Sequence, residues 1–262
     1  MREASARAMR RVVAVCLGVS CAAVMASASA GNPREAAATP ERGVAAEPLR
    51  LESSRARSVT FAYRPKGAAA PRPAVVYLNG RCGVTTNGCP HFREGAEPFG
   101  WLVCPPANVA CPGGGASWGG APSERRALVD AAVADVARAF PGEVDANAPT
   151  VLVGFSQGAW IALDLARLAP SRYRGLLLIG ADVEPRPADL KTAGVARVVL
   201  AAGAYDGAAA PMAKKAKALA AAGVDARFVS LGTVGHTYVA DAEHAGEITA
   251  ALAWLESNPD AT

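Results

Sequence analysis

Two hydrophobic patterns alternate along most of the chain. Short apolar runs rich in β-branched residues are typical of strands buried on both faces of a sheet. These runs occupy residues 58–63, 73–78, 149–154, 174–179, 196–201 and 225–230, with a weaker one at 100–103. Helical periodicity predicts helices between them, over residues 123–140, 157–169, 211–222 and 241–256. This alternation predicts an α/β fold with a mostly parallel central sheet and helices on both faces.

Residues 1–30 follow a different pattern. An arginine-rich start precedes the apolar run 12–26, and small residues follow at Ala28 and Ala30. This order predicts a secretory signal peptide cleaved after Ala30, and therefore a secreted or periplasmic protein. Two alternatives stay open. The apolar run is close to the length of a membrane anchor, and Cys21 follows a poor match to a lipid-attachment motif.

Two further segments complete the predicted organisation. Residues 31–48 are rich in Ala, Pro and charged residues without periodicity, which predicts a flexible linker. Residues 49–262 then form a single predicted domain, with no internal repeat and no second apolar run long enough for a stable membrane span.

Composition and charge exclude several classes of protein. The chain has 262 residues, of which 51% are hydrophobic and 19% charged, so it is neither fibrous nor wholly disordered. The formal charge is +4. Removing the four arginines and one glutamate of residues 1–30 leaves 23 basic and 22 acidic residues. The remaining charge gives no indication of a nucleic-acid partner.

Four cysteines lie beyond the predicted leader: Cys82, Cys89, Cys104 and Cys111. An even number in an exported chain predicts disulfide bonds. Of the three possible pairings, the equal seven-residue spacings favour Cys82–Cys89 and Cys104–Cys111. A zinc site is the alternative, but two C-x6-C pairs are not a usual zinc spacing, so we predict no metal.

The segment Gly154-Phe155-Ser156-Gln157-Gly158 indicates a catalytic nucleophile. It has the form G-x-S-x-G and lies between a predicted strand and a predicted helix, which is the setting of a nucleophile elbow. Glycines on both sides of the serine remove Cβ atoms that would collide in so tight a turn. The alternative is a serine in an ordinary glycine-bracketed turn.

The serine hydroxyl needs a base to take its proton. The chain offers three histidines: His91, His236 and His244. His236 directly follows the predicted strand 225–230, where a chain order of serine, acid, histidine puts the base. We therefore predict His236 as the base and assign His91 and His244 to the protein surface.

The base in turn needs a carboxylate to hold its tautomer. Asp206 follows the predicted strand 196–201, and Asp182, which follows the preceding strand, is the alternative. Two backbone N–H groups should stabilise the oxyanion. We expect one from Gln157, after the nucleophile, and the second from Arg81, with Gly80 as the alternative.

The chain resembles the α/β-hydrolase superfamily, and within it the carboxylesterase, lysophospholipase and acyl-protein thioesterase branch. The resemblance rests on G-F-S-Q-G at 154–158, and on spacings of 50 residues from Ser156 to Asp206 and 30 from Asp206 to His236. It covers roughly residues 58–256. It implies an α/β-hydrolase fold and a Ser-Asp-His triad that cleaves carboxylic esters or thioesters through an acyl-enzyme, without a cofactor.

Three features depart from that branch: Asn79-Gly80 where His-Gly is usual, the four cysteines, and the export leader. The substrate is expected to be a small-molecule or lipid-like ester, with the acyl length left open. Trp118, in the glycine-rich segment 112–120, is predicted to form a pocket wall, or else to be half-buried in a solvent loop. Two alternatives remain: a peptidase or amidase, and a non-catalytic exported binding protein on the same scaffold.

Overall fold

A central sheet of eight strands organises the described part of the chain. A computed structural model describes residues 47–55, 58–67 and 70–257. The sheet strands are β1 (Leu49–Glu52), β2 (Val59–Tyr63), β3 (Ala74–Leu78), β4 (Trp101–Cys104), β7 (Thr150–Phe155), β8 (Tyr173–Ile179), β9 (Arg197–Ala202) and β10 (Asp225–Ser230). Two further strands, β5 (Val109–Ala110) and β6 (Ala116–Ser117), form a separate hairpin.

The sheet is parallel over most of its width. Its strand order is β1-β2-β4-β3-β7-β8-β9-β10. Strand β2 is antiparallel to both of its neighbours, and every pair from β4–β3 to β9–β10 is parallel. Parallel strands end at the same edge, so the loops that follow β3, β7, β9 and β10 meet there.

Helices cover both faces of the sheet. They are α1 (Thr85–Gly88), α2 (Arg93–Ala96), α3 (Pro122–Ala139), α4 (Gln157–Leu168), α5 (Pro187–Ala193), α6 (Ala209–Ala221) and α7 (Glu247–Glu256), with 3₁₀ turns at Cys89–Phe92 and Ala242–His244. Alternate residues of β3 face opposite sides. Val76 and Leu78 join a core with α3, α4, α5 and α6, whereas Val75 and Tyr77 join a core with α2 and α7.

The structure confirms the predicted architecture and corrects one helix. All six strong apolar runs and the weaker run at 100–103 form strands of the sheet, and the first three predicted helices are present. The fourth, predicted over 241–256, is divided: a 3₁₀ turn ends at His244, and α7 begins at Glu247. The Asp241 carboxylate accepts from the His244 N–H and caps a separate short turn.

Some predictions concern residues outside the described ranges. The signal peptide over 1–30 lies wholly outside them, and so does the linker over 31–48 except for its last two residues. Among the described residues, no helix combines the length and the apolar character that crossing a membrane requires.

The cysteines form disulfides, but the expected pairing of sequence neighbours is wrong. The bonds are Cys82–Cys111 and Cys89–Cys104, with Cα–Cα distances of 5.6 and 6.1 Å. Cys104 ends β4 in the buried centre of the sheet, and Cys89 opens a 3₁₀ turn packed on the same core. Cys82 follows β3, next to β4 in the sheet, and Cys111 follows the nearby β5. The bridge between Gly83 and Ala116 brings the segments that carry Cys82 and Cys111 together, so contacts in the folded chain set this pairing.

We predict that Cys89→Ala/Cys104→Ala lowers the free energy of unfolding by about 3 kcal/mol, because the lost bond closes a loop of this length in the unfolded chain. That bond spans 15 residues and both of its cysteines are buried. Urea unfolding of the oxidised wild type and of the variant measures the difference. An unchanged midpoint and slope would contradict the stabilising role of this bond.

Candidate active site

Ser156 lies in a strained turn between β7 and α4. Its φ of 52° and ψ of −114° are unfavourable for a residue with a side chain. The two flanking glycines are required by close packing. A Cβ on Gly154 would collide with the carbonyl of Gly158, and a Cβ on Gly158 would collide with the carbonyl of Leu78. The turn therefore has the geometry expected of a nucleophile elbow.

The structure brings together the three side chains predicted to act as a triad. His236 Nε2 lies 3.0 Å from Ser156 Oγ, and His236 Nδ1 lies 2.8 Å from Asp206 Oδ2. The Asp206 side chain is only 6% exposed, and its Oδ1 accepts from the Ala208 N–H at 2.9 Å. Each of the three residues follows a parallel strand, β7, β9 or β10.

The alternative candidates for the acid and the base make contacts with other residues. Asp182 Oδ1 accepts from Lys215 Nζ at 2.6 Å. His244 Nδ1 lies 2.7 Å from Asp241 Oδ1, and His91 packs on the ring of Tyr238. Burial lowers the pKa of His91. None of these three therefore takes the position that Asp206 or His236 occupies beside Ser156.

Asp241, which the sequence did not single out for the site, clamps the loop that carries His236. Its Oδ2 accepts from the Thr233 N–H at 2.7 Å, and its Oδ1 accepts from the His244 N–H at 3.1 Å. Hydrogen bonds, first from the His244 side chain and then from the Thr233 backbone N–H, lower the pKa of Asp241 from 3.8 to about 2. Stabilisation by the clamp is thus complete above pH 3.8 and is lost as the pH falls through about 2.

An aromatic cluster supports the same loop. The ring of Phe155 lies 4.9 Å from the imidazole of His236, and Tyr238 meets Phe155 edge-to-face at 4.9 Å. Burial raises the pKa of the Tyr238 hydroxyl. Phe155 and Tyr238 therefore fix the position of His236 by packing. The only sequence signal for this role is an aromatic residue next to Ser156 and another two residues after His236.

The loop of residues 79–83, here called the oxyanion loop, lies against Ser156. A Cβ on Gly80 would lie 3.1 Å from the Cβ of Ser156. Asn79 is buried, and its Nδ2 donates to the Gly80 and Ala116 carbonyls at 2.8 and 2.9 Å. In the described part of the chain, the backbone N–H of Arg81 donates to no protein acceptor. That N–H is thus available to a ligand.

Trp118 is buried and makes a hydrogen bond within the protein, whereas the sequence suggested that it forms a pocket wall. It is 3% exposed and is not among the residues that line the cleft at Ser156. Its indole Nε1–H donates to the Asn79 carbonyl at 3.0 Å. The Gln157 side chain holds its backbone, with Oε1 accepting from the Trp118 N–H at 3.0 Å and Nε2 donating to the Trp118 carbonyl at 3.1 Å.

A cleft of about 700 Å³ opens beside Ser156 and His236. Trp160, which is 47% exposed, lines it one helical turn beyond Ser156, and sequence analysis missed this residue. Farther along the same lining, Arg125 donates to Asp164 Oδ2 at 3.2 Å. No group of three or more His, Cys, Asp or Glu side chains within the described ranges is arranged to hold a metal ion.

Comparisons with known proteins show the fold. No family model matches the chain, and no curated protein matches it. Among solved structures, the esterase PE8 is 23% identical, with a TM-score of 0.55 over 74% of this chain and 95% of its own. The carboxylesterase of Bacillus cereus is 18% identical, with a TM-score of 0.53 over 75% of this chain and 92% of its own.

A third structure agrees with these two. It comes from a study of two esterases of Rhizomucor miehei and is 18% identical, with a TM-score of 0.57 over 80% of this chain and 82% of its own. With the strand order described above, these likenesses establish that the chain has the α/β-hydrolase fold.

We predict that Asp241→Ala accelerates hydrogen exchange in peptides covering residues 232–244, because the variant loses the acceptor that closes this loop. Mass spectrometry at neutral pH measures the exchange. Asp145→Ala is the matched control, since Asp145 caps a separate turn by accepting from the Ala148 N–H at 3.0 Å. Equal protection of residues 232–244 in the wild type and in Asp241→Ala would refute the clamp.

Proposed function

We propose that the protein is an exported serine hydrolase that cleaves carboxylic esters or thioesters through an acyl-enzyme intermediate. The hydrogen-bonded series from Ser156 through His236 to Asp206, with distances of 3.0 and 2.8 Å, carries this proposal. The esterases among the similar structures support it. Export rests on the pattern of residues 1–30, with which two disulfides are compatible.

The proposed reaction starts with proton transfer at Ser156. His236 Nε2 takes the proton from Ser156 Oγ as the oxygen attacks the acyl carbon, and the hydrogen bond from Nδ1–H to Asp206 stabilises the imidazolium. His236 then protonates the leaving alcohol or thiol. Water attacks the acyl-enzyme in a second cycle with the same base, and the carboxylic acid leaves. This scheme requires no cofactor.

The developing oxyanion needs hydrogen-bond donors in both cycles. Gln157 is the first residue of α4, so its backbone N–H lies at a helix N-terminus, where the N–H groups have no partner within the helix. We assign this N–H as one donor and the free N–H of Arg81 as the second. The close approach of Gly80 to Ser156 places this loop beside the nucleophile, and the N–H of Gly80 stays the alternative second donor.

The open cleft fits a small-molecule or lipid-like ester as substrate. Trp160 offers an aromatic surface near Ser156, and the Arg125–Asp164 pair lies farther along the cleft. An amide or peptide bond would use the same triad, so the preferred bond is decided by comparing substrates. A purely binding role would not require the hydrogen bond between Ser156 and His236.

We predict that Ser156→Ala folds normally and that its turnover of p-nitrophenyl butyrate falls by at least about 10³-fold, because the nucleophile is lost. The turnover of Asp206→Asn should fall by a similarly large factor, because His236 then loses the acceptor that fixes its tautomer. The turnover of Asp182→Asn should fall far less, since Asp182 pairs with Lys215 and not with His236.

Initial rates on p-nitrophenyl butyrate, the matching thioester and a chromogenic peptide test this assignment. If the peptide is cleaved faster than the ester, the protein is a peptidase and the proposed esterase function is wrong. Full turnover by Ser156→Ala would end the assignment of the nucleophile. Failure of the folded wild type to react with a fluorophosphonate would favour the non-catalytic binding protein.

We predict that Trp160→Ala raises the KM for p-nitrophenyl octanoate about tenfold, because a longer acyl chain loses its apolar contact in the cleft. The KM for p-nitrophenyl acetate should change little. Leu168→Ala is the control, since Leu168 is also exposed but lies at the other end of α4. Equal effects of Trp160→Ala on both esters would show that Trp160 does not contact the acyl chain.

A further inference from the structure

We propose that residues 109–118, here called the brace segment, position the oxyanion hole, and that Trp118 of this segment and Asn79 of the oxyanion loop are the positioning residues. This inference rests on the proposed esterase function. Neither residue is proposed to touch the substrate. Their role is to hold the backbone N–H of Arg81 at a fixed distance from Ser156.

The brace segment is fastened to the oxyanion loop by four links of different kinds. They are the disulfide Cys82–Cys111, the hydrogen bond from the Ala116 N–H to the Gly83 carbonyl at 3.0 Å, that from the Cys82 N–H to Ser117 Oγ at 2.9 Å, and that from Asn79 Nδ2 to the Ala116 carbonyl at 2.9 Å. The links attach to both sides of Arg81, so they constrain its peptide group from both directions.

The brace segment is also fastened to the nucleophile elbow. The two hydrogen bonds between the Gln157 side chain and the Trp118 backbone attach it to the start of α4. The indole of Trp118 then reaches the Asn79 carbonyl at the start of the oxyanion loop. Because Gln157 and Arg81 supply the two proposed donors, Trp118 fixes the distance between them.

The conformation of the oxyanion loop requires such support. Cys82 has a φ of 55°, which is unfavourable for a residue with a side chain. Gly115 of the brace segment approaches so closely that a Cβ there would collide with the Cys82 carbonyl. A strained backbone persists only where its surroundings hold it. The contacts with the brace segment supply that restraint next to Arg81.

This arrangement gives a common role to two departures from the branch that the chain resembles. Asn79 takes the position where that branch usually has histidine, and its amide reaches the brace segment. Two of the additional cysteines, Cys82 and Cys111, join the same two segments covalently. In this chain, therefore, a fastened neighbouring segment holds the loop that carries the second donor.

Asn79→Ala tests the proposal against Asn108→Ala. Asn108 is the matched control because its side chain also binds backbone beside the brace segment, with Oδ1 accepting from the Gly119 N–H at 2.9 Å, but it makes no contact with the oxyanion loop. For Asn79→Ala we expect kcat on p-nitrophenyl butyrate to fall about 10- to 100-fold. The upper end of this range equals the loss of rate expected when one oxyanion donor is removed. Its KM should stay within about twofold, and Asn108→Ala should retain both constants.

A transition-state analogue separates positioning from a merely structural effect. A trifluoromethyl ketone forms a tetrahedral adduct with the serine and carries the oxyanion, so its Ki should rise in Asn79→Ala by the factor by which kcat/KM falls. Trp118→Phe keeps an aromatic ring at this buried position but removes the indole N–H that donates to Asn79, together with part of the ring volume. It should show the same pattern to a smaller degree, and it serves as the test if Asn79→Ala does not fold.

The outcomes are distinguishable. The inference is overturned if folded Asn79→Ala keeps the wild-type kcat. If Asn79→Ala does not fold, a wild-type kcat in Trp118→Phe overturns it instead. Equal losses of kcat in Asn79→Ala and Asn108→Ala also overturn it. An unchanged Ki for the ketone alongside a reduced kcat also overturns it. If the wild type neither turns over esters nor labels at Ser156 with a fluorophosphonate, the proposed function fails, and this inference fails with it.

Discussion

No Cβ fits at Gly154 or Gly158, two residues before and two after Ser156, and this packing constraint determines how the rest of the site is arranged. Gly154 lies against the backbone of Gly158, which in turn lies against the end of β3. Helix α4 can therefore start directly at the sheet edge. This close packing sustains a backbone conformation at Ser156 that costs on the order of 1–3 kcal/mol. It also aims the first N–H groups of α4 at the space where the oxyanion would form.

The other parts of the site are held by separate local devices. The His236 loop is closed by the Asp241 carboxylate and packed by Phe155 and Tyr238. Asp206 is buried and fixed by the Ala208 N–H, whereas about half of the imidazole of His236 remains exposed. A buried acid and an accessible base suit a mechanism in which water must reach the base in the second cycle.

The sequence predicts most of the fold and the three residues that meet at the sheet edge. Strands such as β7 and β8 are mostly apolar, and the two glycines around a serine between strand and helix strongly restrict the local backbone geometry. The disulfide pairing could not be predicted, because the contacts that bring Cys82 beside Cys111 and Cys89 beside Cys104 form only in the folded chain. Trp118 was misplaced for a related reason. Its glycine-rich surroundings indicate a loop, but they do not reveal that Gln157 holds its backbone.

If Ser156, His236 and Asp206 act as proposed, the position of the site on late strands governs when the serine becomes reactive. As the chain is synthesised, Ser156 emerges 80 residues before His236. Until β9 and β10 have joined the edge of the sheet, its hydroxyl has no base beside it and behaves as an ordinary alcohol. Under the proposed mechanism, a chain that has not yet formed these strands would not hydrolyse esters around it. Reactivity would then require β10, the strand that precedes His236 and lies at the edge of the sheet.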